Sequence, residues 1–147
     1  MQNRGKVLKL FISEPGKSGR IEQSQLLLNT KGVVNDKFYG KDVERSVLIS
    51  SADSYLLVKE HAIELEYGVL GENIIVDFNP YAFSSGVQIK IGEVVLEISQ
   101  NCTLCKSLTK IDSRLPKLLK NDRGIFAKVV KAGTIYRDSE VIYEGVK

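Results

Sequence analysis

The sequence predicts a mainly β fold with a few helices, in which the sheet closes or rolls up on itself. Three observations carry this prediction. Many short apolar segments alternate with polar residues at the period of a strand, and a single segment has the length and caps of a principal helix. Strands and helices do not alternate regularly, which favours a closed or rolled sheet over a parallel α/β sheet. At 147 residues, we expect one domain spanning residues 1–147.

The strands are predicted from alternation and from their flanking turns. Val87, Ile89 and Ile91 alternate with polar residues, which is the clearest strand pattern in the chain. A glycine-bounded polar segment at 31–42 is predicted to be a loop. We predict strands at residues 7–13, 45–50, 74–77, 87–91, 94–99, 124–130 and 135–143, a short apolar run at 25–28, and a short helix at 113–121.

The principal helix follows the predicted strand at 45–50. Ser50 or Ser51 can cap a helix that begins at Ala52, because a serine oxygen accepts a hydrogen bond from a free N–H of the first turn. The helix is predicted to run to about Glu66 and to end at Gly68, since glycine commonly terminates helices.

Composition and charge exclude several classes of protein. The chain is 43% hydrophobic and 27% charged, as is typical of a soluble globular domain. Its net charge is +3 and its 21 basic residues are spread out, which argues against a nucleic-acid partner. No apolar run approaches the ~20 residues that cross a membrane, and the first residues lack the pattern of a signal peptide. We therefore expect a cytoplasmic protein with no membrane partner.

Both cysteines, Cys102 and Cys105, lie just after a predicted strand, where polar Gln100 and Asn101 are expected to interrupt it. A zinc site would need a second ligand pair, and the chain has one histidine, His61. A redox pair would need a βαβ unit, and an iron–sulfur cluster would need further ligands. Two interpretations stay open: one working thiolate with a secondary cysteine, or two small buried apolar side chains.

Two other segments have candidate binding residues. Asp36, Asp42 and Arg45 surround the glycine-flanked loop, which is either a solvated turn or part of a site. Arg123, followed by a glycine and a strand, is either a turn residue or a guanidinium directed at a phosphate or carboxylate.

Taken in order, these segments resemble the MOSC domain, named for the C-terminal domain of molybdenum-cofactor sulfurase. The family motifs are a Gly-x-x-Gly-Asp loop followed by an arginine, a Gly-Glu-Asn block, an alternating strand pair, a cysteine block and an Arg-x-Gly block. The matching positions here are 32–36 with Arg45, 71–74, 86–98, Cys102 with Cys105, and 123–129 with Gly133. The sequence departs from the pattern at Asn35, which replaces a glycine, and at 137–139, where a Gly-Asp is usual.

The resemblance implies a compact MOSC-type β-barrel of mixed strands that binds the molybdenum cofactor, a pterin dithiolene with a phosphate. It also implies a cysteine that ligates molybdenum or carries sulfur as a persulfide; Cys105 matches that position and Cys102 is secondary. Pyridoxal phosphate binding is a further family-level implication. The implied cofactor contacts are Arg45, Arg123 and Lys37 to the phosphate, and Asp36 and Asn73 to the pterin or to the loops around it.

Two functions of different classes follow from the resemblance. The first is a cofactor-binding or sulfur-carrier protein that works with a partner such as a cysteine desulfurase. The alternative is a molybdenum-dependent reductase of N-hydroxylated substrates that takes electrons from a donor protein. A cofactor-free binding module with a decayed site is the third reading.

Overall fold

The computed structural model describes residues 2–16, 19–102 and 106–144 of the chain. Within these ranges, the chain forms eleven strands and three α-helices. The strands are β1 (Gln2–Ile12), β2 (Ile21–Gln23), β3 (Gln25–Asn29), β4 (Gly32–Val33), β5 (Val47–Ser51), β6 (Ile74–Val76), β7 (Gln88–Ile91), β8 (Val94–Asn101), β9 (Ile125–Lys131), β10 (Gly133–Tyr136) and β11 (Glu140–Glu144). The helices are α1 (Ala52–Glu60), α2 (Lys106–Thr109) and α3 (Leu115–Leu118), and a 3-10 turn covers Val43–Arg45.

The main sheet closes into a barrel. Its order is β11-β7-β8-β9-β5-β6-β1, and β11 also pairs with β1, so that seven strands of the described chain form a ring. The pairing of β5 with β6 is parallel, and the other pairings in the ring are antiparallel. Strand β2 extends one side of β1, and β10, β3 and β4 form a separate small sheet. The predicted fold, mainly β with a few helices and a barrel of mixed strands, is confirmed.

The inward face of the barrel carries the apolar set of each strand. In β7, Ile89 and Ile91 are buried while Gln88 and Lys90 are exposed, which is the alternation expected of a strand with one buried face. Strand β8 alternates in the same way, with Val94, Leu96 and Ile98 inside. These side chains join one continuous core.

The helices cover part of the outer face. In β6, Ile74 and Val76 point into the barrel, whereas Ile75 belongs to a second apolar cluster with residues of the helices. That cluster includes Tyr55 of α1 and Leu115 of α3. Strand β6 is therefore buried on both faces, which explains its uninterrupted apolar sequence. Among the described residues, no helix is long and apolar enough to cross a membrane.

The principal helix is shorter than predicted. Ser51 caps it by accepting a hydrogen bond from Asp53 N at 3.0 Å, but α1 ends at Glu60. Ala62 has a left-handed backbone with φ 60°, and Ile63 N donates to the Val58 carbonyl at 3.1 Å. This turn carries Ile63 back into the second apolar cluster. The helix ends because burial of that side chain prevails over helix propensity.

Several other predicted boundaries are wrong: β1 begins at Gln2, α3 covers only Leu115–Leu118, and three further differences have a local cause. Arg45 lies in the 3-10 turn, and β5 begins two residues after it. Strand β8 continues through Gln100 and Asn101, because an irregularity in its pairing with β9 accommodates them. The predicted strand at 135–143 is two strands separated by a turn, in which Asp138 has φ 70°.

Candidate functional site

A cavity of about 290 Å³ opens beside the barrel wall where β5, β9 and the end of β8 meet the loop before β5. Its size is near the lower end of the range for small-molecule pockets. Four of the residues named in advance as cofactor contacts or as the secondary thiol line it: Arg45, Asn73, Cys102 and Arg123.

The cavity is lined by more positive than negative charge. Of the described lining residues, the cationic ones are Arg20, Lys41, Arg45 and Arg123. The acidic lining residue is Asp42, and its carboxylate accepts a hydrogen bond from Glu44 N at 3.1 Å. A concave site with clustered cations and low-dielectric walls favours an anionic ligand.

Arg123 is almost fully buried, with 8% of its surface exposed. Its Nε and Nη2 both lie 3.4 Å from the Leu70 carbonyl oxygen, to which they donate. Its Nη1 is buried and has no hydrogen-bond partner in the part of the chain that the structure describes. A buried guanidinium N–H without a partner is costly and therefore points to a missing acceptor.

Arg45, which also lines the cavity, likewise has a buried donor that is unpaired within the described ranges. Its Nε is buried and lacks a partner among the described residues. Its guanidinium carbon lies 4.8 Å from the centroid of the Phe126 ring, within the range of a cation–π contact. Arg45 and Arg123 thus each have a buried donor without a partner in the described part of the chain.

Arg20 was missed by the sequence analysis, because it follows a turn and belongs to no motif. Its Nη1 lies 3.4 Å from Asp36 Oδ1, and the side chain lines the cavity. Burial lowers the pKa of Arg20, and the carboxyls of Asp36 and Glu72 oppose that shift. Asp36 and Glu72 thus favour the charged form of Arg20, the third guanidinium beside the cavity after Arg45 and Arg123.

The Asp36 carboxylate lies behind the cavity wall and organises it. It is 4% exposed, and its oxygens accept hydrogen bonds from Ser13 N at 2.8 Å and Phe38 N at 3.1 Å. Arg20 Nη1 and Asn73 Nδ2 also donate to it, both at 3.4 Å. Asp36 therefore links three segments of the chain to one another.

Asn73 lines the cavity and ties together two barrel strands. Its Oδ1 accepts from Leu48 N at 3.1 Å, and its Nδ2 donates to the Phe11 carbonyl at 3.2 Å. Its backbone N donates to the Leu48 carbonyl at 2.8 Å. With these bonds, Asn73 fixes the loop that brings Leu70 and Gly71 to the cavity.

Gly71 leaves space between two of the arginines. Its φ is +87°, and a Cβ placed there would lie 3.7 Å from Arg20 Nη2 and 4.0 Å from Arg123 Nη2. Both guanidiniums therefore converge on the face of this glycine. Any side chain at this position would extend into the space they share.

Glu72 forms a buried pair with Tyr55 next to the arginines. The Tyr55 hydroxyl donates to Glu72 Oε2 at 2.5 Å, and Oε1 has no partner in the described part of the chain. Burial raises the pKa of Glu72, and both burial and Glu72 raise the pKa of Tyr55. In the sequence, Glu72 is part of the Gly-Glu-Asn motif, which indicates nothing of this pairing with Tyr55.

Cys102 is 4% exposed and lines the cavity, in contact with Leu48 and Phe126. Cys105 lies outside the described residues. Lys37 is not among the lining residues; its Nζ lies 5.3 Å from the centroid of the Phe38 ring. No group of three or more His, Cys, Asp or Glu residues that could hold a metal ion occurs in the described ranges.

The fold and the cavity define a class, that of small closed β-barrels with a cation-lined cleft. A sequence model of the MOSC domain matches residues 32–142, and the chain belongs to this family. The family is associated with molybdenum-cofactor-related proteins. Among curated proteins, none matches the sequence of this chain.

Solved structures have the same fold. The YuaD protein from Bacillus subtilis superimposes with a TM-score of 0.88 at 14% identity, over 100% of this chain and 99% of that one. YiiM from Geobacillus stearothermophilus gives a TM-score of 0.77 at 13% identity, over 96% of this chain and 75% of that one. YiiM from Escherichia coli gives 0.73 at 18% identity, over 97% and 71%. At these identities the likeness concerns the fold alone.

Proposed function

We propose that this protein binds the molybdenum cofactor in the cation-lined cavity and uses a cysteine thiolate there as a metal ligand or sulfur carrier. The observation that carries the proposal is the pair of unused donors, Arg45 Nε and Arg123 Nη1, in the walls of one cavity.

The unused donors fit the phosphate of the cofactor. Leaving a buried donor unpaired costs about 1–3 kcal/mol, so an anion that accepts from both guanidiniums removes two such penalties. Charge-assisted bonds from arginine to phosphate are stronger than neutral ones and direct the ligand as well as hold it. Arg20 and Lys41 add positive charge to the same cavity.

The thiols fit the metal. A thiolate is a soft donor suited to molybdenum held by the sulfur atoms of a dithiolene. When bound, the cofactor supplies the redox and sulfur chemistry of molybdenum. Cys102 is the described thiol that lines the cavity, and Cys105 is three residues further along the same segment.

Sulfur transport needs only thiol exchange. The Cys105 thiolate attacks the terminal sulfur of a donor persulfide, such as that of a cysteine desulfurase, and the donor thiolate leaves. One sulfur atom moves between two thiols without a net oxidant. Asp36 and Asn73 support this role by holding the loops around the cavity.

The test is the molybdenum and pterin content of the protein purified from a molybdenum-replete host. We expect stoichiometric cofactor in the wild type, loss in Cys105→Ala, and retention in Cys102→Ala. Arg123→Met should lose pterin together with molybdenum, because it removes the phosphate contact. Arg4→Met is the matched control, since Arg4 is exposed and pairs with Glu140 away from the cavity.

The other outcomes are also informative. Equal loss in both cysteine variants would mean that the two thiols work as a unit. Absence of both cofactor and a Cys105 persulfide, measured by mass, would refute the proposal. Turnover of an N-hydroxylated base with an added reductant would identify the reductase alternative, in which Cys105 is on the metal and a donor protein supplies electrons.

A further inference from the structure

The peptide segment that carries Arg123 has three consecutive carbonyl groups, and each accepts a hydrogen bond from a different element: α1, β5 and the segment just after β8. The hydroxyl of Ser50, at the end of β5, donates to the Arg123 carbonyl at 2.8 Å. The donor–acceptor pairs on either side are Ser54 Oγ to the Asp122 carbonyl and Cys102 N to the Gly124 carbonyl, the latter at 2.9 Å.

A chain of hydroxyl groups lies behind the bond to the Asp122 carbonyl. Ser51 N donates to the Tyr81 hydroxyl oxygen at 2.7 Å, and the Tyr81 and Ser54 hydroxyls are 2.5 Å apart. Because the Ser54 proton is donated to the Asp122 carbonyl, the Tyr81 proton goes to Ser54. The bonds therefore run in one direction, from Ser51 through Tyr81 and Ser54 to Asp122. Such chains polarise and strengthen one another in a low-dielectric interior.

These hydroxyls are inside the protein. Ser50 is 0% exposed, Ser54 1% and Tyr81 8%. None of them is among the residues that line the cavity. Burial raises the pKa of Tyr81 to about 12, so its hydroxyl keeps the proton that it donates. They act on the cavity only through the backbone that they hold.

Because Gly124 has no side chain, the backbone of this segment packs closely against β5. A Cβ at this position would lie 2.8 Å from Leu48 Cδ1 and 3.3 Å from Ser50 Oγ, so a larger residue would have to displace the Leu48 side chain. The segment is thus held by packing on one side and by its carbonyls on the other. The two side chains that it positions are Arg123, which faces the cavity, and Cys102, whose backbone it binds.

We infer that Ser50, Ser54 and Tyr81 are positioning residues that set the Arg123 guanidinium and the Cys102 thiol in the cavity wall. They do so by fixing the carbonyls of Asp122 and Arg123. The carbonyl of the next residue is then in position to accept the hydrogen bond from Cys102 N. The network therefore sets the distance between the Arg123 guanidinium and the thiol, which a ligand that contacts both groups must span.

The decisive comparison is Ser50→Val against Ser50→Thr. Both variants add the same bulk at a buried position, but only threonine keeps the hydroxyl that donates to Arg123. Tyr81→Phe interrupts the hydroxyl chain independently, with the exposed Tyr136→Phe as its control. The readout is the NMR signal of the Arg123 Nε–H, assigned by its absence in Arg123→Lys, and the rate at which this proton exchanges with water.

We expect a shifted signal and faster exchange in Ser50→Val and Tyr81→Phe, and a near wild-type signal in Ser50→Thr. The dissociation constant for inorganic phosphate should rise about tenfold in Ser50→Val, as when one charge-assisted hydrogen bond is misplaced, and by no more than about twofold in Ser50→Thr. Thermal melts show whether each variant is folded.

The phosphate measurement rests on the proposed function, whereas the NMR measurement does not. If the wild type fails to bind phosphate and the Arg123 signal still differs between valine and threonine, the positioning role stands and the anion-binding proposal fails. If the signal and its exchange rate are the same in Ser50→Val, Tyr81→Phe and the wild type, the network is merely structural and the inference is overturned.

Discussion

The guanidinium carbon of Arg45 lies 4.8 Å from the centroid of the Phe126 ring. Arg45 belongs to the 3-10 turn and Phe126 to β9, so the contact joins a turn to the barrel wall. Because Arg45 Nε has no hydrogen-bond partner in the described ranges, the ring is the contact that orients this side chain. The cavity wall thus depends on an aromatic face as much as on polar bonds.

Replacing this ring should weaken anion binding. In Phe126→Leu we expect inorganic phosphate to bind several-fold more weakly and stability to fall by about 1–2 kcal/mol, through loss of the cation–π contact and of packing. Calorimetric titration and chemical denaturation measure the two effects. Phe78→Leu is the control, because Phe78 does not line the cavity. Its ring stacks on that of Tyr143, with 4.2 Å between the ring centroids. An equal loss of affinity in the control would contradict the assignment.

Gly71 can be tested against Gly86, a glycine with a similar positive φ. Gly71→Ala and Gly86→Ala both place a Cβ at positive φ, +87° and +94°, so both should lose about 1–2 kcal/mol of stability. A Cβ at Gly86 meets nothing within 4 Å, whereas one at Gly71 faces Arg20 and Arg123. Only Gly71→Ala should weaken phosphate binding. Similar affinities in the two variants would show that the anion lies elsewhere.

Asp36 should be essential to stability. In Asp36→Asn the four groups that donate hydrogen bonds to the carboxylate lose a charged acceptor, and Arg20 loses its ion-pair partner. The free energy of unfolding should therefore fall by about 3–5 kcal/mol, as for other broken buried pairs. Urea denaturation measures this. Asp138→Asn should change little, since Asp138 is exposed and its left-handed backbone suits asparagine.

Glu72 should make stability depend on pH. Burial raises the pKa of Glu72 above its ordinary value of 4.5, so the folded chain holds a proton that the unfolded chain releases. The stability from this group is therefore complete below pH 4.5 and is lost as the pH rises through the folded-state pKa. In Glu72→Gln, which keeps an acceptor for Tyr55, this loss should disappear.

The measurement is the difference in free energy of unfolding between Glu72→Gln and the wild type, followed from pH 4.5 upwards. The variant should become relatively more stable with rising pH. The exposed Glu64→Gln serves as the control. A pH-independent difference would mean that Glu72 is ionised throughout this range in the folded state.

Local pattern was sufficient to predict most of the barrel. The alternation around Ile89 and Leu96 depends only on which face of a strand is buried, so it can be read without knowing the partner strands. The end of α1 could not be predicted, because the left-handed turn at Ala62 follows from burial of Ile63 against distant residues. The split at Asp138 was missed for a different reason, since an aspartate with positive φ has no firm sequence signature.

The site shows a similar division. Arg45, Asn73 and Arg123 belong to motifs of the sequence, and all three line the same cavity. Arg20 has no local signal, and its place depends on a buried carboxylate sixteen positions further along the chain. Lys37 was named for its charge and lies outside the lining, because a helix or strand pattern does not specify the direction of a loop side chain.

The pairing of β1 with β11 has a kinetic consequence. Its register joins Gln2 to Glu144, so the ring closes through contacts between residues at nearly the largest sequence separation in the described chain. Such contacts form late, because much of the chain must be ordered before they stabilise it. During synthesis, β7 and the first half of β1 therefore stay unpaired at their edges until β11 has emerged from the ribosome. In that interval the edges are open to pairing with other chains, and this protein should refold slowly and depend on dilution or chaperones to do so.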